Sequence, residues 1–542
     1  MSPARPETGS RRKGAPARRR GWRLWRGLLL AIGAAYLAGL ALDRCGGPRF
    51  TAGTNVCTPP LPLAAGEARF LFDLTGTAPD GRRVFHQETF DALLELIARA
   101  TDGELLLLDQ FLVNHFRGRT GTGGSPHRDL TGELVQALLA ARRHHPGLAI
   151  LFITDPLNAN YADQCPPDLQ PLAEAGIPVL LTPHELLADS NHLYSPFHRL
   201  LAWPASRLPG SDRPLLANPF DPDQPRLGLR AFARLLNFKA NHRKVAVRLA
   251  PDGSGEALVS SANPHTASSA HGNCALHLTA GPVAAAILRS ELQLAHTILL
   301  HRPHLAFGTP AKLALQRDLA ARLAALPATT PTAAAEPGRP TAQFATEAAF
   351  ATQLEAELAR AGAGDQIAIL QFYLADPRLL RALKDACARG ATVRLLLDLN
   401  RDAFGRAKNG IPNRATAHSL HAWATRTGHD LQIRWFRTAG EQAHAKAMLI
   451  RRPATGHSVL AAGSANWTVR NLRGSNLEAG LILRDVPAAA ERYTTAFTQL
   501  WENPEATAYS VAYSEPDAPG AAGRLGQRLL TAFGSFTGAC TY

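Results

Sequence analysis

The sequence writes one short pattern twice. His242 and Lys244 are followed by Ser261 and Asn263, and His444 and Lys446 by Ser464 and Asn466. The serines lie nineteen and twenty residues after their histidines. The first copy reads NHRKVAV and then SSANPHT; the second reads AHAKAML and then GSANWTV. A chain of this kind is expected to build two similar units and bring the copies together. The residue types point to a chemistry. One imidazole can attack phosphorus while a second protonates the departing oxygen. Ammonium and amide donors can hold the charge that builds on phosphoryl oxygens. A lone His-x-Lys is commonly a solvated strand end, and Ser-x-Asn alone is a common turn or cap signal. Two matched copies in repeated surroundings are not explained that way.

The repeat runs beyond the motifs. LLLLDQFLV (105–113) matches IAILQFYLA (367–375), each a short apolar run of the kind that forms a buried strand. Helical patterns precede them at 90–100 and 350–362. A further helix and strand follow each: 130–144 and LAILFITD (148–155) in the first half, 377–390 and TVRLLLDLN (392–400) in the second. Third strands come at 177–182 and 431–437, and then the motif strands at 244–250 and 446–452. This alternation predicts an α/β fold of two lobes related by a pseudo-twofold axis, with the motifs meeting at the interface. At 542 residues the chain is too long for one hydrophobic core and suits two such units.

The expected organisation is a basic segment at 1–21, a transmembrane anchor at 22–43, a linker at 44–65 and a first lobe at 66–324. A Pro/Ala/Thr-rich linker at 325–343, a second lobe at 344–502 and a tail at 503–542 complete it, with a short possible helix, GRLGQRLLTAFG, in the tail. The first lobe carries an insert at about 183–238, rich in leucine and including Phe197, Trp203 and Phe220. Such an insert shapes a binding site or forms a surface excursion.

Net charge is +14, but residues 1–44 hold ten Lys/Arg against two Asp/Glu, so the body is only mildly basic. That suits an anionic phosphate substrate and does not demand a DNA-binding face. The basic flank leads into just over twenty mostly apolar residues from Trp22, enough to cross a bilayer as a helix. Positive charge stays on the cytoplasmic side, which places the body outside. A cleaved signal peptide is the competing reading; LALDRC is a poor cleavage site and favours an anchor. The expected location is the bacterial inner membrane, single-pass, with an extracytoplasmic body. Six cysteines show no CxxC spacing, so no zinc cluster is expected. Cys45 and Cys57 offer a local disulfide in an oxidising compartment.

The paired His-x-Lys and Ser-x-Asn motifs resemble those of the phospholipase D superfamily, in particular its bacterial cardiolipin-synthase-like branch, over roughly residues 66–502. The resemblance implies two α/β lobes with the active site between them, and phosphodiester cleavage through a phosphohistidine without metal or cofactor. It implies that Glu478, in SNLEAG, orients His242 from the opposite lobe. His242 is then the nucleophile and His444 the general acid and later the base. Lys244, Lys446, Asn263 and Asn466 bind the phosphoryl oxygens. Ser261 and Ser464 support them at the substrate, with Asn273 and Asn476 beside them. His265 and His271 lie close enough in sequence to touch substrate.

Three departures stand out. Leu249 and Arg451 occupy the places where the family usually has Asp. GNCALH, aligned on SNLEAG, matches Asn273 to Asn476 and puts Ala275 where Glu478 stands. The leading expectation is a membrane-anchored phosphatidyltransferase or phospholipase D acting on phospholipid head groups, with phospholipid and membrane as partners and no obligatory nucleic acid. The alternatives are an exported nuclease with the same chemistry, and a degenerate relative that binds phosphate or lipid without turnover. Head group, acceptor and oligomeric state stay open.

Overall fold

In a computed structural model, residues 16–44, 49–115, 128–189, 191, 193–205, 207–218, 225–327, 338–400, 402–403, 406–407 and 410–514 are described, with 523, 525–526, 529–530 and 533 beyond. Helix α1 spans Pro16–Arg44 and holds an apolar stretch, Trp25–Leu42, long enough to cross a membrane. The described residues of the tail segment 523–534 are helical. Cys45, Phe220 and Cys540 lie outside the described residues. Among the described residues Cys57 is an unpaired thiol.

The first lobe is an eight-stranded sheet. Its strands are β1 (Ala68–Phe72), β2 (Leu105–Gln110), β3 (Ala149–Thr154), β4 (Val179–Leu181), β5 (Lys244–Leu249), β6 (Gly255–Ser260), β7 (Cys274–Leu278) and β8 (Ala306–Phe307), in the order β8-β4-β3-β2-β5-β6-β7-β1. Pairs β2–β3 and β3–β4 are parallel; the β5–β6–β7–β1 run is antiparallel, and β5 joins β2 antiparallel. Helices α2 (Thr89–Ala98) and α3 (Leu130–His144) lie on one face of this sheet. Phe90, Leu93, Leu96 and Ile97 of α2 recur at helical spacing and are all buried. Asp129 caps α3 by accepting from Gly132 N. With both faces covered, β2 has no polar face to show, and LLLLDQ is buried throughout. Among the helices that follow in this lobe are α4 (Tyr194–Ala205) within the insert and α5 (Gly281–His301). Helix α5 is as apolar as a membrane span but is mostly buried inside the body.

The second lobe repeats the plan in nine strands. They include β9 (Thr341–Thr346), β10 (Gln366–Gln371), β11 (Thr392–Leu397), β12 (Leu431–Phe436), β13 (Lys446–Arg452), β14 (His457–Gly463), β15 (Ala479–Arg484) and β16 (Ser510–Ala512). The order is Leu61–Pro62, then β9-β15-β14-β13-β10-β11-β12-β16. Its helices include α6 (Glu347–Arg360), α7 (Pro377–Ala388) and α8 (Pro487–Glu502). Asp376 caps α7, whose first residue is proline. Three segments read as linker or tail are strands here. Leu61–Pro62 closes one edge, β16 the other, and β9 begins at Thr341, inside the expected 325–343 linker. Two-residue and three-residue edge strands carry too little periodicity to show in a sequence.

The inner faces of the two sheets share one apolar core. Phe70, Phe72, Val245 and Val259 from the first lobe meet Phe344, Leu449, Leu460 and Leu481 from the second. At the rim of this core the lobes pair directly. Asn241 bridges to Leu477, and Gly272 bridges to Ala443. Each lobe therefore lays the residues that enter its own His-x-Lys beside the turn into the other lobe's last repeated strand.

Candidate active site

Both motifs sit at that seam. Lys244 pairs in register with Gln110 across β5 and β2, and Lys446 with Gln371 across β13 and β10. The strand pairing thus fixes both lysines at matched positions in the middle of each sheet, with the histidines two residues upstream at its end. Each lysine turns back on its own histidine. Lys244 Nζ donates to His242 O at 2.8 Å, and Lys446 Nζ to His444 O at 2.5 Å. A phenyl ring closes each site from below. Phe111 lies 4.7 Å from the His242 ring and 4.9 Å from Lys244 Nζ; Phe372 lies 4.9 Å from His444 and 5.1 Å from Lys446 Nζ.

Each histidine is held by the opposite lobe. Glu478 accepts from His242 Nδ1, with both carboxylate oxygens within 2.9–3.0 Å. Glu478 in turn accepts from Ser464 Oγ and Asn471 Nδ2, and its own N–H donates to Glu347 Oε1 at 3.0 Å. His444 Nδ1 faces Asn273 Oδ1 at 3.3 Å. The Asn273 amide is oriented from behind, because its Nδ2 donates to Asp73 Oδ2 at 3.2 Å. In both cases Nδ1 is committed and Nε2 is left to face the cleft.

This corrects the alignment of the two loops. Ser261 N donates to Cys274 O, and Ser464 N to Ala479 O. Cys274 N donates to Ser261 Oγ at 2.9 Å, and Ala479 N to Ser464 Oγ at 3.0 Å. Cys274 therefore matches Ala479, and Asn273 matches Glu478, not Asn476. Ala275 is a buried core residue of β7, and no acid is missing from it. The carboxylate of the first half has become an amide, and Asp73 supplies a charge one step further back.

Other expected site residues are engaged with the protein itself. Ser261 and Ser464 are fully buried and grip strand backbone, which helps place Asn273 and Glu478. Asn476 Oδ1 accepts from Ala240 N at 3.1 Å and from Arg470 Nε at 3.2 Å, a brace between lobes. Leu249 and Arg451 end up at the far ends of β5 and β13, about 16 Å along the strand from the lysines, so their identity does not reach the site. Trp467 packs in the second lobe's core. Among the flanking histidines, His271 comes within 5.9 Å of the His444 ring, while His265 Nδ1 pairs with Ser268 Oγ. Asn263 and Asn466 keep matching places, and each leaves its Oδ1 buried without a hydrogen-bond partner among the described residues.

Several residues went unread. Asp155 Oδ2 accepts from Asn241 N and Asp398 Oδ2 from Ala443 N, both at 2.8 Å, pinning the backbone just ahead of each histidine. Their signal was present: each ends the second strand of its half. Arg243, fully buried between the two motif residues, pairs with Glu291 at 3.0 Å and with Glu347 of the other lobe at 2.7 Å. No local pattern marks Asp73, whose partner Asn273 is two hundred residues away.

Burial sets the electrostatics. It lowers His242 to about 4 against the pull of Glu478, and Lys244 to about 7. Burial holds His444 well below the histidine range, aided by Lys446, His271 and Lys244. Lys446 is lowered in the same way, with Lys244 adding to the effect. Burial raises the Glu478 carboxyl, but His242 and Lys244 outweigh that and leave it below its usual range. Asp73 is raised to about 6 by burial. Burial thus favours the neutral form of both imidazoles and weakens the hold of both lysines on their protons. Among the described residues no cluster of three His, Cys, Asp or Glu side chains could hold a metal ion.

The family described as "Cardiolipin synthase, PLD-like domain" matches residues 354–501. The crystal structure of phosphatidylserine synthase from Haemophilus influenzae Rd KW20 superimposes with a TM-score of 0.50 at 12% identity, covering 88% of this chain and 94% of that one. Nuc, a phospholipase D family member from Salmonella typhimurium, is 17% identical over 32% of this chain and 99% of its own, with a TM-score of 0.25. Polyphosphate kinase from Porphyromonas gingivalis is 12% identical over 88% of this chain and 56% of its own, with a TM-score of 0.41. No curated protein matches the sequence. Residues 354–501 match the model of a phospholipase D-like domain of the cardiolipin-synthase type, and the chain as a whole shares its two-lobed α/β fold with the phosphatidylserine synthase structure.

Proposed function

We propose that this chain is a membrane-anchored phosphatidyltransferase or phospholipase D that works through a phosphohistidine on His242. The observation that carries the reading is the crossed pairing: His242 held by Glu478, and His444 held by Asn273, each from the opposite lobe. In the first step His242 Nε2 attacks phosphorus, the N–P bond forms, and the P–O bond to the head-group alcohol breaks. Binding of the anionic diester favours the charged ring, so His444 takes up a second proton, and the Nε2–H of this imidazolium passes to the departing oxygen. In the second step His444 takes a proton from water or an acceptor alcohol, whose oxygen attacks phosphorus and breaks the N–P bond. Lys244, Lys446, Asn263 and Asn466 hold the phosphoryl oxygens.

The backing groups divide the labour. A carboxylate behind His242 stabilises the positive charge its ring gains on forming the N–P bond. A neutral amide behind His444 stabilises the imidazolium less, which keeps it a willing proton donor. A phospholipid substrate is favoured by the membrane-length helix α1, the modest charge of the body and the cardiolipin-synthase-type domain. The test is incubation of the full chain with phosphatidylglycerol vesicles, with and without added glycerol, followed by lipid mass analysis. Cardiolipin or phosphatidic acid formed by the wild type and absent with His242→Ala supports the reading. Unchanged lipid, with cleavage of single-stranded DNA instead, contradicts it.

A further inference from the structure

Helix α1 does not leave the body as a free stalk. Its last turns pack along the insert helix α4. Ala35, Tyr36, Gly39 and Leu42 form the covered stripe, while Leu37 and Leu40 stay exposed. Tyr36 and Phe197 lie ring to ring at 5.8 Å. At Gly39 the fit is close enough that an added Cβ would stand 2.1 Å from Pro196 O. Small residues allow this kind of approach between helices in a membrane. Tyr36 lies about 10 Å inside the end of the apolar stretch, at 1.5 Å per residue. A helix packed at that level is immersed to a depth of the order reached by interfacial helices, about 5–10 Å.

Beside this contact the insert exposes large apolar side chains, on α4 and on the residues flanking it. Leu193, Leu201, Trp203, Leu208 and Leu215 are each between 48% and 58% exposed. Five large apolar side chains on one short stretch are not a chance scatter of surface residues. The Arg207 guanidinium lies 4.4 Å from the Trp203 ring centre, and Arg213 is exposed beyond it. An aromatic ring with basic groups alongside matches the head-group level of a bilayer.

We infer that α4 and the residues beside it, 193–205 and 207–215, lie in the outer leaflet beside α1 and form a second, interfacial membrane contact. The occupant of the apolar face is the phospholipid bilayer itself, because α1 already fixes where that bilayer must be. The inference rests on the anchor in the proposed function and goes one step beyond it: the catalytic cleft is held against the lipid surface. The insert is joined directly to the site. Tyr194 Oη donates to Leu236 O at 2.8 Å, and its ring lies 6.3 Å from Phe238. Phe238 stands four residues before His242, and Arg470 of the second lobe lies 5.9 Å from its ring centre. Lys239 is tied to Asp189 at 3.2 Å, and Asp189 also pairs with Arg199 of α4.

The test uses the full chain in vesicles of phosphatidylcholine and phosphatidylglycerol, with some lipids brominated along their acyl chains. Subtracting the emission of Trp203→Phe from that of the wild type isolates Trp203 from the tryptophans of α1. The Trp203 signal should fall by about twofold or more with brominated lipid and resist aqueous iodide. A signal quenched by iodide and untouched by bromine overturns the inference. In a second arm, Leu201→Glu with Trp203→Glu should slow turnover of vesicle lipid by more than about tenfold, leaving hydrolysis of soluble bis-p-nitrophenyl phosphate unchanged. Equal loss on both substrates counts against the inference. Bromine quenching in a wild type that turns over neither substrate would uphold the membrane contact and sink the enzymatic reading instead.

Discussion

Replacing Glu478 by glutamine isolates the electrostatic half of the site. The side chain keeps its size, and its remaining oxygen can still accept from Asn471 Nδ2, while the new amide N–H faces Ser464 and His242. The buried negative charge is lost at a point 2.9–3.0 Å from His242 Nδ1. In the wild type that charge faces the cationic ring of the phosphohistidine. Unit charges about 4 Å apart in a partly polar interior interact by about 4 kcal/mol. That corresponds to about a thousandfold in rate. The loss should appear in kcat and kcat/KM together, because the charge on the ring exists only once attack is under way. The assay is head-group release from phosphatidylglycerol vesicles by the full chain, with thermal unfolding as a check on folding. A folded Glu478→Gln variant within about threefold of wild type, or one altered only in KM, would refute the reasoning.

Asp73→Asn should lower turnover by about tenfold or more by freeing the Asn273 amide to rotate away from His444. Its cost in stability should stay near the ~1 kcal/mol of a lost helix cap, since Asp73 also accepts from Glu88 N and Thr89 N; a melting loss without a kinetic one would contradict this. Binding of inorganic phosphate near pH 8 should draw protons into the protein. Burial puts Lys244 at about 7, so it is mostly neutral near pH 8, and a bound anion favours its charged form. Calorimetry in buffers of different ionisation enthalpy reads this directly, and net proton release would be the wrong sign. His242 lies at about 4 when folded, below the unfolded value, so the unfolded chain binds the extra proton between about pH 4 and 6.5. Its contribution to stability is present above that window and lost as pH falls through it; His242→Gln should therefore flatten the acid limb of the stability profile.

Much of this was legible in the chain. The strands at 105–113, 148–155, 367–375 and 392–400 appear within a few residues of their expected places, because runs such as LLLLD are buried on both faces. The duplicated motifs gave His242, His444 and their lysines, and SNLEAG gave Glu478. What stayed hidden depends on contacts between lobes. Aligning GNCALH with SNLEAG by their asparagines is natural in one dimension; only the paired backbone shows that Asn273 stands where Glu478 does. Asp73 works through a neighbour two hundred residues away, and Arg243 through Glu347 of the other lobe. Neither leaves a local trace. Asp155 and Asp398 did leave one, at the ends of matched strands, where their role in pinning the backbone before each histidine has no sequence signature of its own.

The central claim is that a nitrogen of His242 becomes bonded to phosphorus. Rapid acid-free quenching of the full chain with phosphatidylglycerol, followed by peptide mass analysis, tests it most directly. The account predicts a phosphatidyl adduct on the peptide carrying His242 during wild-type turnover, absent with His242→Ala and slower both to form and to decay with His444→Ala. An adduct on His444 instead, or none at any time in an enzyme that still turns over, would contradict it.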